Sequence, residues 1–150
     1  MKRNVRLYLT ILCLILIFVS INLTSCAQTA AANTSQTFTG IVIDEHCFEK
    51  KPDPTLDSKK CLMMPACAAT GYGIAVKQAD DTYTFYFFDG EFAPAATGAQ
   101  KSAASLIEAS SKTDNFLVSV TGTLTGEKKS AADGQTFPLI EVSSIKEIDG

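Results

Sequence analysis

The chain has no tryptophan and a single histidine, His46, in 150 residues. One imidazole, with acids beside it at Asp44, Glu45 and Glu49, gives no convincing Ser-His-Asp set, so a hydrolytic enzyme is not expected. No CxxC occurs, which removes the usual signature of dithiol oxidoreductases and of regular zinc modules. No phosphate-cradling motif is present either. Gly71-Tyr72-Gly73 leads into a strand pattern instead of a helix, so its glycines serve a tight turn. Acidic pairs such as Asp80-Asp81 and Asp89-Gly90-Glu91 sit in turn contexts, where solvated acids are the rule. There is no internal repeat and no basic run.

What is present begins with the N-terminus. Lys2, Arg3 and Arg6 precede a stretch, 7–23, without a charged side chain. A basic cap followed by an apolar run of this kind, ending in small residues, fits an export signal better than a membrane span. The run ends Leu23-Thr24-Ser25-Cys26, which resembles the lipobox of bacterial lipoproteins. That resemblance implies cleavage before Cys26, a diacylglycerol thioether on its sulfur and usually an acylated new amino terminus, palmitate being a typical chain. Two or three acyl chains anchor a protein stably, so Cys26 is expected to tether and not to catalyse. The predicted product is lipid-anchored at the cell membrane and faces outside the cytoplasm.

Ten of the 13 Lys+Arg and all 16 Asp+Glu fall after residue 25. An exported part with about −6 formal charge repels phosphates, so nucleic acid is not expected as a partner.

The expected organisation is a signal helix over 1–25, a flexible polar tether over 26–36, and one domain over 37–150. TFTGIVID (37–44), GIAVKQ (73–78) and TYTFYFFD (82–89) read as strands, the last two as a hairpin across Ala79-Asp80-Asp81. AQKSAASLIEAS (99–110) carries Ala103, Leu106 and Ile107 at helical spacing. DNFLVSVTGTLTG (114–126) alternates with period two. TFPLIEVSSIKEI (136–148) is a last strand whose phase slips near Ser143-Ser144, as at a bulge. Residues 45–72 read as a structured loop with one helical turn at SKKCLMM closed by Pro65. The fold class is therefore mainly β: a five-stranded, OB-like, partly open barrel with one helix between strands 3 and 4. An open antiparallel sheet with a helix on one face is the alternative.

The loop holds Cys47, Cys61 and Cys67. In an oxidising space a small domain tends to pair its thiols, and three thiols allow one disulfide and leave one over. The pairings are favoured in the order Cys47–Cys67, Cys47–Cys61, Cys61–Cys67. Closing a roughly 15-residue loop such as 47–61 is worth about 3 kcal/mol in the chain-entropy view. The other reading is a metal site. His46, Cys47, Cys61 and Cys67 together would satisfy Zn²⁺, and Met63 and Met64 add thioethers that suit Cu(I). Against it, His46 and Cys47 as neighbours on a strand would face opposite ways. No cofactor is required by the first reading.

Taken together, GIVIDEHC, KKCLMMPACAATGYGIAV, FYFFDGE, VSVTGTLTG and IEVSSI resemble a group of small exported bacterial proteins, many of them lipoproteins. Their pattern is Gly-aliphatic-aliphatic-Asp-x-x-Cys, a cysteine-containing loop, and Gly-Tyr-Gly opening a strand. The resemblance implies the fold and the location and carries no activity. Members often have a histidine just before the second cysteine, where Lys59 and Lys60 stand here, which counts against a metal. The preferred expectation is thus a non-enzymatic lipoprotein of the cell envelope, braced by a disulfide and binding an unidentified envelope ligand or protein. The alternative is a lipoprotein that binds Zn or Cu.

Overall fold

The computed structural model describes residues 34–51, 53–90 and 97–149. The expected signal segment 1–25, Cys26 and the tether up to residue 33 lie outside the described residues.

Five strands form one closed barrel. They are β1 Gln36–Asp44, β2 Tyr72–Lys77, β3 Tyr83–Phe88, β4 Leu117–Ser130 and β5 Thr136–Glu147. Around the barrel they run β1-β2-β3-β5-β4, and β4 returns to β1 through six register pairs from Gln36↔Gly122 to Ile41↔Leu117. Every pairing is antiparallel except β3 with β5, which join in parallel at Phe87↔Leu139 and Phe88↔Ile140. That short seam shuts the barrel, so the partial opening anticipated from the sequence is absent. The alternative of an open sheet falls with it.

Alternation along the strands builds the core. Phe116 at the entry to β4, with Val118 and Val120 on it, is fully buried, as are Phe85, Phe87 and Phe88 near the seam. A period of two puts Phe116, Val118 and Val120 on one face of β4 and its entry, and Phe85 and Phe87 on one face of β3, and closure turns such a face inward. Phe48, Phe85, Phe87 and Phe137 form a ring cluster with centroids 5.0–6.0 Å apart. Most of these contacts are edge-on, the geometry favoured by the ring quadrupole. In β5 the register jumps from Thr121↔Ser144 to Gly122↔Val142, so Ser143 is an extra residue, and its hydroxyl donates to the Thr121 carbonyl at 3.0 Å. The slip expected near Ser143-Ser144 is this bulge, which lets a long strand bend around the barrel.

The connection from β1 to β2 is more helical than the sequence suggested. It comprises α1 Glu45–Lys50, a 3-10 turn Pro54–Leu56, α2 Lys59–Leu62 and α3 Pro65–Ala68. Asp44 caps α1, Asp53 the 3-10 turn and Ser58 α2, each accepting from a backbone N–H two or three residues on. Pro65 starts α3 at its first position, where a missing N–H costs nothing, and does not simply close the preceding turn. A fourth helix, α4 Gly98–Ala109, follows β3 in the chain and buries Gln100, Ala103 and Ile107.

Side-chain hydrogen bonds tie α4 to the barrel and α2 to the end of α4. The Gln100 side chain donates to the carbonyls of Tyr72 (2.9 Å) and Phe88 (2.8 Å) and accepts from Tyr72 N–H at 2.7 Å, stitching α4 to the ends of β2 and β3. Lys59 donates through Nζ to the carbonyls of Glu108 and Ser110, at 2.7 and 2.8 Å. A cation on these last carbonyls satisfies otherwise orphaned acceptors and favours the negative end of the helix dipole.

Candidate metal centre

The candidate site residues converge between α1, α2 and α3. Asp44 ends β1 and caps α1, which places Cys47 three residues on with its N–H bonded back to Asp44 Oδ1 at 3.0 Å. On a helix, neighbouring side chains diverge by about 100°, so Cys47 turns inward, 4% exposed, while His46 stays half-buried. Gly71 adopts φ +101, and its carbonyl accepts the first N–H of α1 from Glu45 at 3.0 Å. Gly73 lies so close to β3 that a Cβ there would stand 2.2 Å from the Tyr86 carbonyl oxygen. Gly71 thus serves the turn expected of this motif, while Gly73 serves a close approach of strands that was not anticipated. Between them, Tyr72 is buried and donates its hydroxyl to the Leu62 carbonyl at 2.6 Å, pinning the end of the helix that carries Cys61.

This scaffold gathers three free thiols. Cys61 Sγ lies 3.3 Å from Cys47 Sγ and 3.9 Å from Cys67 Sγ, and all three sulfurs are within 4.8 Å of one another. All three sulfurs of the pairings weighed from the sequence are therefore neighbours. The spacing suits an ion. Ligands about 2.3 Å from a tetrahedral Zn²⁺ stand about 3.8 Å apart. Three cysteines this close can bind a metal.

Against the thiols lie two buried carboxylates, Asp44 (0% exposed) and Asp57 (1%). Ligand atoms of Asp44, Cys47 and Asp57 also lie within 4.8 Å of one another. Asp57 Oδ1 receives the Lys51 ammonium at 2.5 Å. Oδ2 of each aspartate is buried without a hydrogen-bond partner. Leaving such an oxygen unpaired costs about 1–3 kcal/mol, and more when it is charged.

The electrostatics follow from burial. Desolvation raises the Asp44 pKa against the pull of the Cys47 N–H, and the Asp57 charge raises it further. Burial pushes the Cys47 thiol far up, with the Cys61 sulfur and the Asp44 charge adding to it. Burial and the Asp44 charge push Cys67 up to about 11. Without a cation these two thiols are protonated at neutral pH, the opposite of what thiol–disulfide exchange demands. A bound metal reverses that balance, expelling the protons as it binds thiolate.

Of the residues proposed from sequence, Cys47, Cys61 and Cys67 come together. His46 does not join either ligand group; its backbone N–H donates to Thr70 Oγ1 at 3.4 Å. Met63 and Met64 are exposed. Lys59 is engaged with the end of α4. Asp44 and Asp57 were not anticipated as part of the site. The signal for Asp44 was available: an aspartate between a β-branched strand and a glutamate-led helical turn is an N-cap, and a cap three residues before a cysteine lies beside it. Two surface clefts run along Ser111–Leu117 and along Ser111, Lys112 and 146–149, and none of the three cysteines lines them. No family profile matches the chain, and no curated protein is detectably similar to it.

Proposed function

We propose that this chain is a membrane-tethered, non-enzymatic metal-binding lipoprotein, whose OB-like barrel presents a trithiolate site for Zn²⁺ or Cu(I). The observation that carries the reading is the convergence of Cys47, Cys61 and Cys67, free and within 4.8 Å, beside buried carboxylate oxygens that have no partner. The OB-like assignment is supported by the strand order and by a helix that follows β3 in the chain. The tether rests on Leu23-Thr24-Ser25-Cys26 behind its apolar run. Among the described residues no helix is long and apolar enough to cross a membrane, so these residues offer no competing anchor of that kind.

The state of the three thiols in purified protein distinguishes this reading from that of a disulfide-braced domain binding an envelope ligand. A disulfide can use only two of the three sulfurs, whereas an ion uses all three. Native mass spectrometry of protein purified without reductant or chelator, followed by alkylation in denaturant with chelator, tests it. The expected result is one Zn or Cu per chain and three alkylated cysteines in the mature protein besides the lipidated one. A two-dalton deficit, one alkylated thiol and no metal uptake on titration would overturn it.

A further inference from the structure

Cys47 belongs to two sets of ligand atoms. One joins its sulfur to those of Cys61 and Cys67. The other joins it to a carboxylate oxygen of Asp44 and one of Asp57, again all within 4.8 Å of one another. This second set is sealed from water, with Asp44, Cys47 and Asp57 at 0%, 4% and 1% exposure. Each carboxylate is held in place. Asp44 ends β1, and its Oδ1 accepts the Cys47 N–H at 3.0 Å and the Thr70 hydroxyl at 3.4 Å. Asp57 follows the 3-10 turn, gives its N–H to the Pro54 carbonyl at 3.3 Å, and precedes Ser58, which pairs with Asp114. Acceptor capacity remains in both. Lys51 occupies Oδ1 of Asp57, and Oδ2 of each aspartate is buried without a hydrogen-bond partner.

We infer that Asp44, Cys47 and Asp57 form a second cation subsite, an O₂S set for a divalent ion of borderline character such as Zn²⁺, which shares the Cys47 sulfur with the trithiolate site. The inference rests on the trithiolate reading for its first ion and adds a second. Three atoms mutually within 4.8 Å have a common point no more than about 2.8 Å from each, against Zn²⁺ bonds of about 2.3 Å to sulfur and 2.0–2.2 Å to oxygen, so a small inward adjustment seats the ion. A thiolate keeps lone pairs after binding one ion, which lets Cys47 bridge two. Charge points the same way. With the ligands ionised, three thiolates and two carboxylates face one ammonium, that of Lys51. One divalent ion leaves two negative charges buried; a second cancels them, and uncompensated buried charge is what a protein interior tolerates least. The oxygen side binds more weakly, having one shared thiolate and an ammonium beside it. The first equivalent therefore goes to sulfur, and the second fills the oxygen side as more ion is added. Cu(I), which selects sulfur, does not fill it.

The test uses the full chain purified from membranes in detergent, stripped of metal and kept reduced. Zn²⁺ and Cu(I) are titrated by competition with chromophoric chelators into wild type and Asp57→Asn. Wild type is expected to take two equivalents of Zn²⁺, the first tighter, and a single equivalent of Cu(I). Asp57→Asn is expected to keep the first Zn²⁺ and lose the second. Wild type that takes only one Zn²⁺ overturns the second subsite and leaves the trithiolate reading standing. Two equivalents in Asp57→Asn also overturn it, since the second ion then lies elsewhere. Wild type that takes neither ion overturns both readings. A second measurement needs no variant: ¹¹³Cd NMR of wild type at two equivalents. Two resonances are expected, one shifted as in sulfur-rich sites and one as in mixed oxygen–sulfur sites, split by scalar coupling through the Cys47 sulfur. Two uncoupled resonances, or one alone, refute the shared ligand.

Discussion

Removing one buried hydroxyl, in Tyr72→Phe, separates the support of the site from its ligands. Tyr72 is 3% exposed and Leu62 is fully buried, so the 2.6 Å bond between them is sealed from water. Burial holds the Tyr72 pKa up at about 12, so the hydroxyl remains a proton donor throughout the physiological range. Phenylalanine fills nearly the same space and leaves the Leu62 carbonyl without its side-chain partner, which costs about 1–3 kcal/mol. For a domain of this size each kcal/mol lowers the melting temperature by roughly 4 °C, so a fall of about 4–12 °C is expected in metal-free protein. Leu62 ends the short helix bearing Cys61. Loosening it is therefore expected to weaken metal binding by roughly 10-fold, the lower end of what lost supporting contacts cost metal sites. Thermal unfolding with and without chelator, together with competition titration, reads both effects. Tyr86→Phe is the control, a half-buried ring packed on Phe38 at 5.5 Å and outside the site. A Tyr72→Phe protein as stable as this control, with metal affinity unchanged, would refute the reasoning that Tyr72 secures the Cys61 helix.

Two further outcomes follow from the same packing. Gln100→Leu leaves three buried backbone groups, on Tyr72 and Phe88, without their partner, so a loss of about 3 kcal/mol or more is expected in denaturant titration. A loss below 1 kcal/mol would mean that α4 is not stitched to the barrel as described. Glu49 is pushed up to about 7 by burial and by the neighbouring Asp133 and Glu45 carboxylates, above its ordinary value of 4.5. The fold thus favours its protonated form, a contribution fully present below about pH 4.5 and lost as pH rises through about 7. Metal-free wild type is therefore expected to lose stability relative to Glu49→Gln between pH 5 and 8. Parallel melting curves across that range would disprove it.

The barrel was more legible than its site. Period-two alternation in 114–126 and the phase slip at Ser143-Ser144 are local signals, and each survives as a strand face and a bulge. The helical connection was harder because α1, α2 and α3 are each under two turns, too short for a 3.6-residue period to show. Their start signals, Asp44, Asp53 and Ser58, were present as cap residues. Reading His46 and Cys47 as strand neighbours placed them on opposite faces. On α1 they diverge by a helical step, which brings Cys47 to the sulfurs and leaves His46 aside. No spacing rule reveals the grouping of the three sulfurs, because the helix bearing Cys61 is fixed by Tyr72, 10 residues from Leu62, and by its own Lys59 reaching Glu108, 49 residues away in sequence. Asp57 was hidden for the same reason: its burial depends on Lys51 and the fold of the loop.

X-ray absorption at the Zn and Cu edges, on native protein purified from membranes without reductant or chelator, addresses the central claim most directly. The account predicts a bound ion with three sulfur scatterers at about 2.3 Å. Protein without either metal, or an ion surrounded by oxygen and nitrogen alone, would contradict it.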